Sequence, residues 1–597
     1  MSDQSAPMSQ DEFEAMLRRW LVKMAVRYLP VAAVGLAVAL ILVFVPTTQP
    51  GGNGLGGTVG NGGSVATGSG RTGGPGAPVA PTGAGPGAAA PGSGGAAPSP
   101  GLSGPGQAAP SAASYGTAYA VGSTSGVART GVRCGAGVRQ FSWSRYAPNC
   151  VAAFSGNNGG ATGQGVTGST ITLTYRLANS QQQSAIDALA GAANINQNDY
   201  VADLQTYINY FNSQFELYGR HVVLKTYQGQ GDYIEEDQGQ DLGATQSDAV
   251  TAHDLGAFGD VTFSLEASQP YEEDLAAEGV VGFSSVGLSQ QWFQQHAPYE
   301  YSVQGPEGTV STREAGDVVC RRMAGLPAEF AGDTIYQHST RKFGVIFPQT
   351  PVYQQEVNQW EQYMSSTCGL TVTRTVGYTI NVAQYESEAA STMAQMKAAG
   401  VTTLLCACDP IVPIFLANAA DQQQYYPEWF ATGFGDPVAR DYDQKEWDHT
   451  IVGGIQWPAV NTTEPYRTYE MANPSHQPAE WPPSSPPYFY VPYFTLMQVF
   501  AALQAAGPDL KAATFERGMF ALPSSQPGDV VGGQWNFANN VFDPVFSYTL
   551  AWWNPNATSA FDNTKGAYWW CNSGTVYQYS DPAALGGPHQ QLNCFGH

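Results

Sequence analysis

The chain has 597 residues, of which 69 are Gly and 40 are Pro, and only 12% are charged. Its 25 basic and 48 acidic side chains leave a formal net charge of −23. Beyond residue 46 no cluster of Lys and Arg is available to neutralise phosphates, which argues against a nucleic-acid partner, and the length exceeds what one core supports.

Residues 1–27 predict a cytoplasmic helical segment. Ser9 and Glu12 have capping-box spacing, and Phe13, Met16, Leu17, Trp20, Leu21 and Met24 recur at helical intervals. The uncharged run from Leu29 to Val45, about 26 Å long as a helix, lies in an expected transmembrane anchor at 28–46. Arg18, Arg19, Lys23 and Arg27 all precede it, which places the N-terminus in the cytoplasm and the remainder outside. Val45-Pro46-Thr47-Thr48-Gln49-Pro50 lacks a small-x-small cleavage pattern, which favours an uncleaved signal-anchor over a signal peptide. Residues 51–110 contain 22 Gly and 9 Pro, so a linker at 47–130 is expected to be a disordered tether.

All eight cysteines lie beyond the anchor, the pattern of disulfides in an exported protein. Proximity pairs Cys134 with Cys150, bracketing a lead-in at 131–165, and Cys571 with Cys594. Cys320 and Cys368 fall near the ends of two predicted helices and could pair as neighbours. Cys406-Ala407-Cys408 is harder: a bridge across one residue is expected to be strained, and no Cys or His at short spacing completes a metal site. Nothing in the chain implies a cofactor.

From Val166 short β runs alternate with helical runs. Strands are expected at 171–175, 221–227, 343–347 and 402–405, and helices at 201–215, 352–366, 384–399 and 411–423. Such alternation predicts an α/β fold, a parallel sheet covered by helices on both faces, with ligands held beyond the carboxyl ends of its strands.

Several stretches resemble the type I periplasmic binding proteins, and most of all the branched-chain amino-acid receptors of ABC transporters. Gly165-Val166-Thr167-Gly168-Ser169-Thr170-Ile171-Thr172-Leu173 is similar to the family's opening strand. The run from Tyr207 to Asn212 through Tyr218-Gly219-Arg220 resembles its first helix and the turn into strand two. Asp317 to Ala324, Arg341-Lys342-Phe343-Gly344, Tyr425 to Trp429 and Asp443 to Trp447 resemble actinobacterial members. The resemblance spans roughly 165–575. It implies two doubly wound lobes joined by three hinge crossovers near 300, 450 and 550. Lobe one would take 166–300 and 451–550, and lobe two 301–450 and 551–597.

The resemblance also implies cleft residues. Ser264, Ser284 and Ser285 would offer hydroxyls to a ligand carboxylate, while Tyr353, Asp409 and Asp436 on the facing lobe would suit an ammonium. Glu266 would repel an anion beside the carboxylate position, and Leu265 stands where a hydroxyl is expected. Either the ligand is not a simple amino acid or the register shifts by one residue.

No His-Glu-x-x-His, Gly-x-x-x-x-Gly-Lys-Ser/Thr or Gly-x-Ser-x-Gly motif is present, and no enzyme activity is expected. The acidic runs Glu235-Glu236-Asp237 and Glu272-Glu273-Asp274 are expected on solvated faces. The aromatic C-terminal part, including Trp552, Trp553, Tyr568, Trp569 and Trp570, reads as packed strands ahead of a sugar platform, and Pro474–Pro487 as an exposed insertion. Three functions remain: a membrane-tethered receptor closing on a small polar, amino-acid-like ligand for an ABC permease, a sensing or scaffold module of the cell envelope, and a hydrolase with a dispersed triad.

Overall fold

The computed structural model describes residues 112–179, 182, 197–264, 266–284, 287–432, 435–454, 463–474, 486–524, 537, 541–542, 547–559, 563–578, 581–586 and 591–595. The segment 1–27, the anchor at 28–46, most of the linker, Leu265, Ser285 and most of the Pro474–Pro487 insertion lie outside them. Among the described residues no helix is long and apolar enough to cross a membrane.

The described chain opens with helix α1 (Ala112–Ala120) and a segment clasped by the Cys134–Cys150 disulfide. Gln504 stitches this segment to the body, its side-chain amide donating to Gln140 Oε1 at 3.2 Å and to the Asn149 carbonyl at 2.9 Å. Strand β1 (Thr170–Leu177) follows, then α2 (Gln197–Gln214) and β2 (His221–Gln228). The short helix α3 (Tyr233–Asp237), α4 (Leu242–Asp254), β3 (Gly259–Asp260), α5 (Gln269–Ala277) and β4 (Val281–Gly282) complete the first unit. Its four strands are parallel in the order β2-β1-β3-β4. Six consecutive residues of β1 are buried, as a strand covered on both faces requires.

Helix α6 (Gly308–Val318) starts the second unit, capped by the Glu307 carboxylate on the Thr309 and Val310 amides. Strand β5 (Phe343–Pro348), α7 (Pro351–Cys368), β6 (Arg374–Tyr378), α8 (Val382–Ala398), β7 (Thr403–Cys406), α9 (Val412–Gln422), β8 (Glu428–Thr432) and β9 (Thr450–Gly454) then alternate. The chain returns to the first core with α10 (Pro486–Ala506) and α11 (Ala512–Phe520), whose Phe500 and Phe515 pack among Phe211, Phe215 and Phe258. It ends in the second unit with β10 (Ser547–Thr558), β11 (Lys565–Trp570) and β12 (Tyr577–Gln578). The second sheet runs β11-β10-β9-β8-β7-β5-β6, parallel from β9 to β6, with β10 antiparallel to β9 and to β11.

Both sheets thus carry the doubly wound order, with a reversal beside β1 in one and beside β5 in the other. Residues 450–454 and 547–550 belong to the second sheet, whereas the sequence expectation placed 451–550 wholly in lobe one.

Four disulfides are present, Cys134–Cys150, Cys320–Cys368, Cys406–Cys408 and Cys571–Cys594. The third departs from expectation. Cys406 ends β7 and Cys408 follows two residues later, so both side chains leave the chain on one side. Of the C-terminal aromatics, Trp553 is buried and donates to Gln444 Oε1 at 2.7 Å, while Trp569 and Trp570 are about half exposed on the edge strand.

At the amino end of the second sheet Arg341 meets Glu428 in a fully buried two-pronged pair at 2.6 and 2.7 Å, with Thr403 adding a hydroxyl donor at 2.9 Å. Removing one partner strands the other without solvent. Glu428→Ala is expected to cost about 3–5 kcal/mol in chemical denaturation, with much of the loss recovered by adding Arg341→Met. A loss under about 1 kcal/mol for the single substitution would overturn this account.

Candidate ligand-binding cleft

A cavity of about 80 Å³ lies where the carboxyl ends of the two sheets face each other. Its first wall includes Tyr233 and Asp237 from α3, Ser264 after β3, Ser268 and Glu272 at the start of α5, and Ser284 after β4. Thr350, Val352 and Tyr353, at the start of α7, form the facing wall.

One charged network fixes the first wall. The Arg176 guanidinium, buried at the end of β1, donates to Asp248 Oδ2 on α4 at 2.9 Å and to both oxygens of Glu236 on α3. Its face covers the Tyr271 ring, 4.5 Å from the centroid. Glu236 in turn accepts from Ser268 Oγ at 2.6 Å, and Ser268 caps α5 by accepting from the Tyr271 amide. Asp237 accepts from the Gln269 amide at 3.0 Å. Strand β1 therefore places α3, and α3 places the first turn of α5.

The cleft acids are held in a poorly solvated setting. Burial, reinforced by Asp260, pushes the Glu272 carboxyl up to about 8, and burial pushes Asp237 up to about 7. Tyr233 and Tyr353 are raised by burial and by each other's neighbours, Asp237 and Asp409 among them.

Of the residues singled out from sequence, the cavity brings together Ser264, Ser284 and Tyr353. Ser284 is buried and donates its hydroxyl to the Thr262 carbonyl. Glu266 does not line the cavity: it is buried against β1, where it accepts from Tyr175 Oη at 2.6 Å, and burial pushes it up to about 7. Asp409 accepts from Tyr378 Oη at 2.8 Å, Tyr385 Oη at 2.9 Å and the Ile411 and Val412 amides, so it caps the chain entering α9. Asp436 accepts from Ser559 Oγ at 2.7 Å and the Tyr568 amide at 3.1 Å, beside β11. Ser285 lies outside the described residues.

The sequence reading missed Asp237 and Glu272, both in runs expected to be solvated. Glu236 and Glu272 are buried because α3 and α5 press their acidic faces onto the ends of β1, β3 and β4. Ser268, one turn before Glu272 with Pro270 between, was the available signal, since it marks a helix start that must face the end of a strand.

A carboxyl that titrates higher in the folded chain keeps its proton where the unfolded chain has lost it. The stability held by Asp237, Glu266 and Glu272 is therefore full below about pH 4 and is lost as pH rises through about 7 to 8. Calorimetric melting temperatures are expected to fall from pH 5 to pH 9, and less steeply in Glu272→Gln combined with Asp237→Asn. Equal slopes in both proteins would contradict the protonated, buried state.

No family model and no curated protein sequence matches the chain. Solved structures do. A leucine-, isoleucine-, valine-, threonine- and alanine-binding protein from Brucella ovis, in its closed conformation, superposes with a TM-score of 0.50 at 12% identity, over 69% of this chain and 96% of its own. A fatty acid ABC transporter substrate-binding protein from Thermomonospora curvata gives 0.50 at 12% identity, over 73% of this chain and 99% of its own. With its two doubly wound sheets and the cleft between their carboxyl ends, the chain has the fold of the type I periplasmic binding proteins.

Proposed function

We propose that the chain is an extracytoplasmic solute-binding protein that closes two lobes on a small polar ligand and delivers it to an ABC-type permease. The observation that carries this reading is the cavity, whose walls come from both sheets. Each lobe supplies part of the contacts, so a ligand gains its full binding energy only in the closed arrangement and shifts the population towards it. Among the described residues the cavity offers hydroxyls and carboxyls without a hydroxyl–imidazole pair, which suits capture of a guest better than hydrolysis. The names of the two superposed structures, both binding proteins, support the same role.

Residues 28–46 tether this receptor as an uncleaved helix, with the folded part outside the membrane and 47–130 as the leash. The cytoplasmic segment 1–27 favours a second reading, a sensing or scaffold module without transport, since a delivery protein has little need of chain on the far side of the membrane.

A panel of amino acids, simple amines, small amides and sugars tested by thermal shift separates these readings from a purely structural role. A bound ligand at 100 times its Kd stabilises by about 2.7 kcal/mol. The responding compound is expected to lose at least tenfold in affinity with Tyr353→Ala and with Ser264→Ala, one from each wall. Silence across the panel, or a response indifferent to both substitutions, would sink the receptor reading. Co-purification with a permease decides between transport and sensing.

A further inference from the structure

This inference rests on the receptor reading and names the chemistry of its ligand. Charge at the cleft end of the first sheet is one-sided. Glu236, Asp248, Asp260, Glu266, Glu272 and Glu300 are all buried there, and Arg176 is the one buried cation among them in the described residues. Arg176 is already engaged by Glu236 and Asp248. Asp260 accepts from Thr174 Oγ1 at 2.7 Å and from the Thr262 amide at 3.0 Å, and Glu266 accepts from Tyr175.

Glu272 is different. Its side chain is buried and lines the cavity, and neither carboxyl oxygen has a hydrogen-bond partner of acceptable geometry. Glu300, bridged to Gly282 beside β4, and Ser284 are its nearest polar neighbours. Both carboxyls crowd the space above Gly282, where a Cβ would collide with each, so the missing side chain is what lets the two acids meet. The charged and titratable groups that face Glu272 are Asp260 from β3, Arg176 from β1 and Glu300 from the segment beside β4. Tyr271 on its own helix contacts Tyr227 of β2, and α3 brings Glu236 and Asp237 to the start of that helix.

Donors suited to an anion are scarce in the same wall. Among the described residues no Lys, Arg or His lines the cavity. The Ser264 amide is taken by Gln304 Oε1 at 2.9 Å, the Gln269 amide by Asp237 at 3.0 Å and the Tyr271 amide by Ser268 at 3.1 Å. From the other lobe Asp409 adds negative field at Tyr233 and Tyr353.

We infer that the cleft takes a small organic amine lacking a carboxylate, whose ammonium is seated on Glu272 and displaces a proton held between Glu272 and Glu300. The amine arrives as R–NH3+, the neutral Glu272 carboxyl gives its proton to the buffer, and the complex holds an ammonium–carboxylate pair. Burial keeps the free carboxyl protonated at neutral pH, so the release is larger at pH 7 than at pH 9.

The test is a matched four-carbon series at constant ionic strength, butylamine, 4-aminobutanoate, butanoate and butan-1-ol, with potassium chloride as the inorganic cation. Thermal shift ranks them, and titration calorimetry in two buffers of different ionisation enthalpy counts protons. Butylamine is expected to stabilise most and to release close to one proton per ligand at pH 7. Glu272→Gln should lose at least tenfold in butylamine affinity together with the proton release. Glu300→Gln should still bind butylamine while releasing fewer protons, which separates ligand contact from proton sharing should the first variant fold poorly. Equal or stronger responses to butanoate, butan-1-ol, 4-aminobutanoate or potassium would overturn the inference, as would enthalpies independent of buffer. Silence to this series alongside a response to an amino acid or sugar overturns the amine and leaves the receptor standing; silence to every compound overturns both.

Discussion

The Arg176 guanidinium, lodged between Glu236 and Asp248, is the constraint on which the first wall of the cleft depends. A buried cation of this kind is costly to desolvate, and only close, directional partners offset that cost. Two carboxylates and the Tyr271 face meet the requirement. The geometry that follows is rigid: α4 is tied through Asp248, α3 through Glu236, and α5 through Ser268 bonded to Glu236. The wall facing the cavity is thus preorganised by charge, which lowers the ordering cost of binding for the proposed ligand.

The second lobe is built differently. Its buried pair, Arg341 with Glu428, lies at the amino ends of the strands, opposite the cleft, and holds β5, β7 and β8 together without touching the cavity. Its contribution at the cleft is the start of α7, where Thr350 and Tyr353 stand beyond β5. The first wall therefore brings most of the charge to the cavity, and the facing wall brings Thr350, Val352 and Tyr353.

Much of the fold was legible because the strands buried on both faces are long apolar runs. Residues 343–347 and 402–405 read as strands from their side chains alone, within one residue of β5 and β7, and Cys134 and Cys150 paired by proximity. Strands β3 and β4, two residues each, carry no period to detect, and the cleft hangs from their ends. The site was correspondingly half visible. Ser264, Ser284 and Tyr353 follow strand ends and announce themselves, whereas Glu272 and Asp237 sit in acidic triplets that look solvated. Whether such a triplet meets water is decided by residues of β1 about 60 to 95 positions earlier in the chain, and local charge patterning has no access to that contact. Asp409 and Asp436 do not line the cavity. Their positions after strands suggested ligand contacts, but hydroxyls and amides of their own lobe occupy their oxygens.

Buried carboxyls break the ordinary rule that a buried charge is matched, and where the rule is broken matters more than how often. Arg341 and Glu428 obey it, and so does Arg220, whose nitrogens are all spent on the carbonyls of Thr167, Pro508, Asn158 and Gly160. Glu446 is an exception away from the cleft, pushed up to about 9 by burial, yet it still accepts the Trp429 indole. Glu272 meets a second acid, Glu300, rather than a cation, and faces a cavity. Replacing it with an apolar side chain would be easier on stability than keeping it. A fold that carries four disulfides and an extensive aromatic core can tolerate one unfavourable carboxyl, and the place it is tolerated is the wall where a guest would neutralise it. Under the proposed reading, stability is given up there in exchange for an interaction that only the ligand completes.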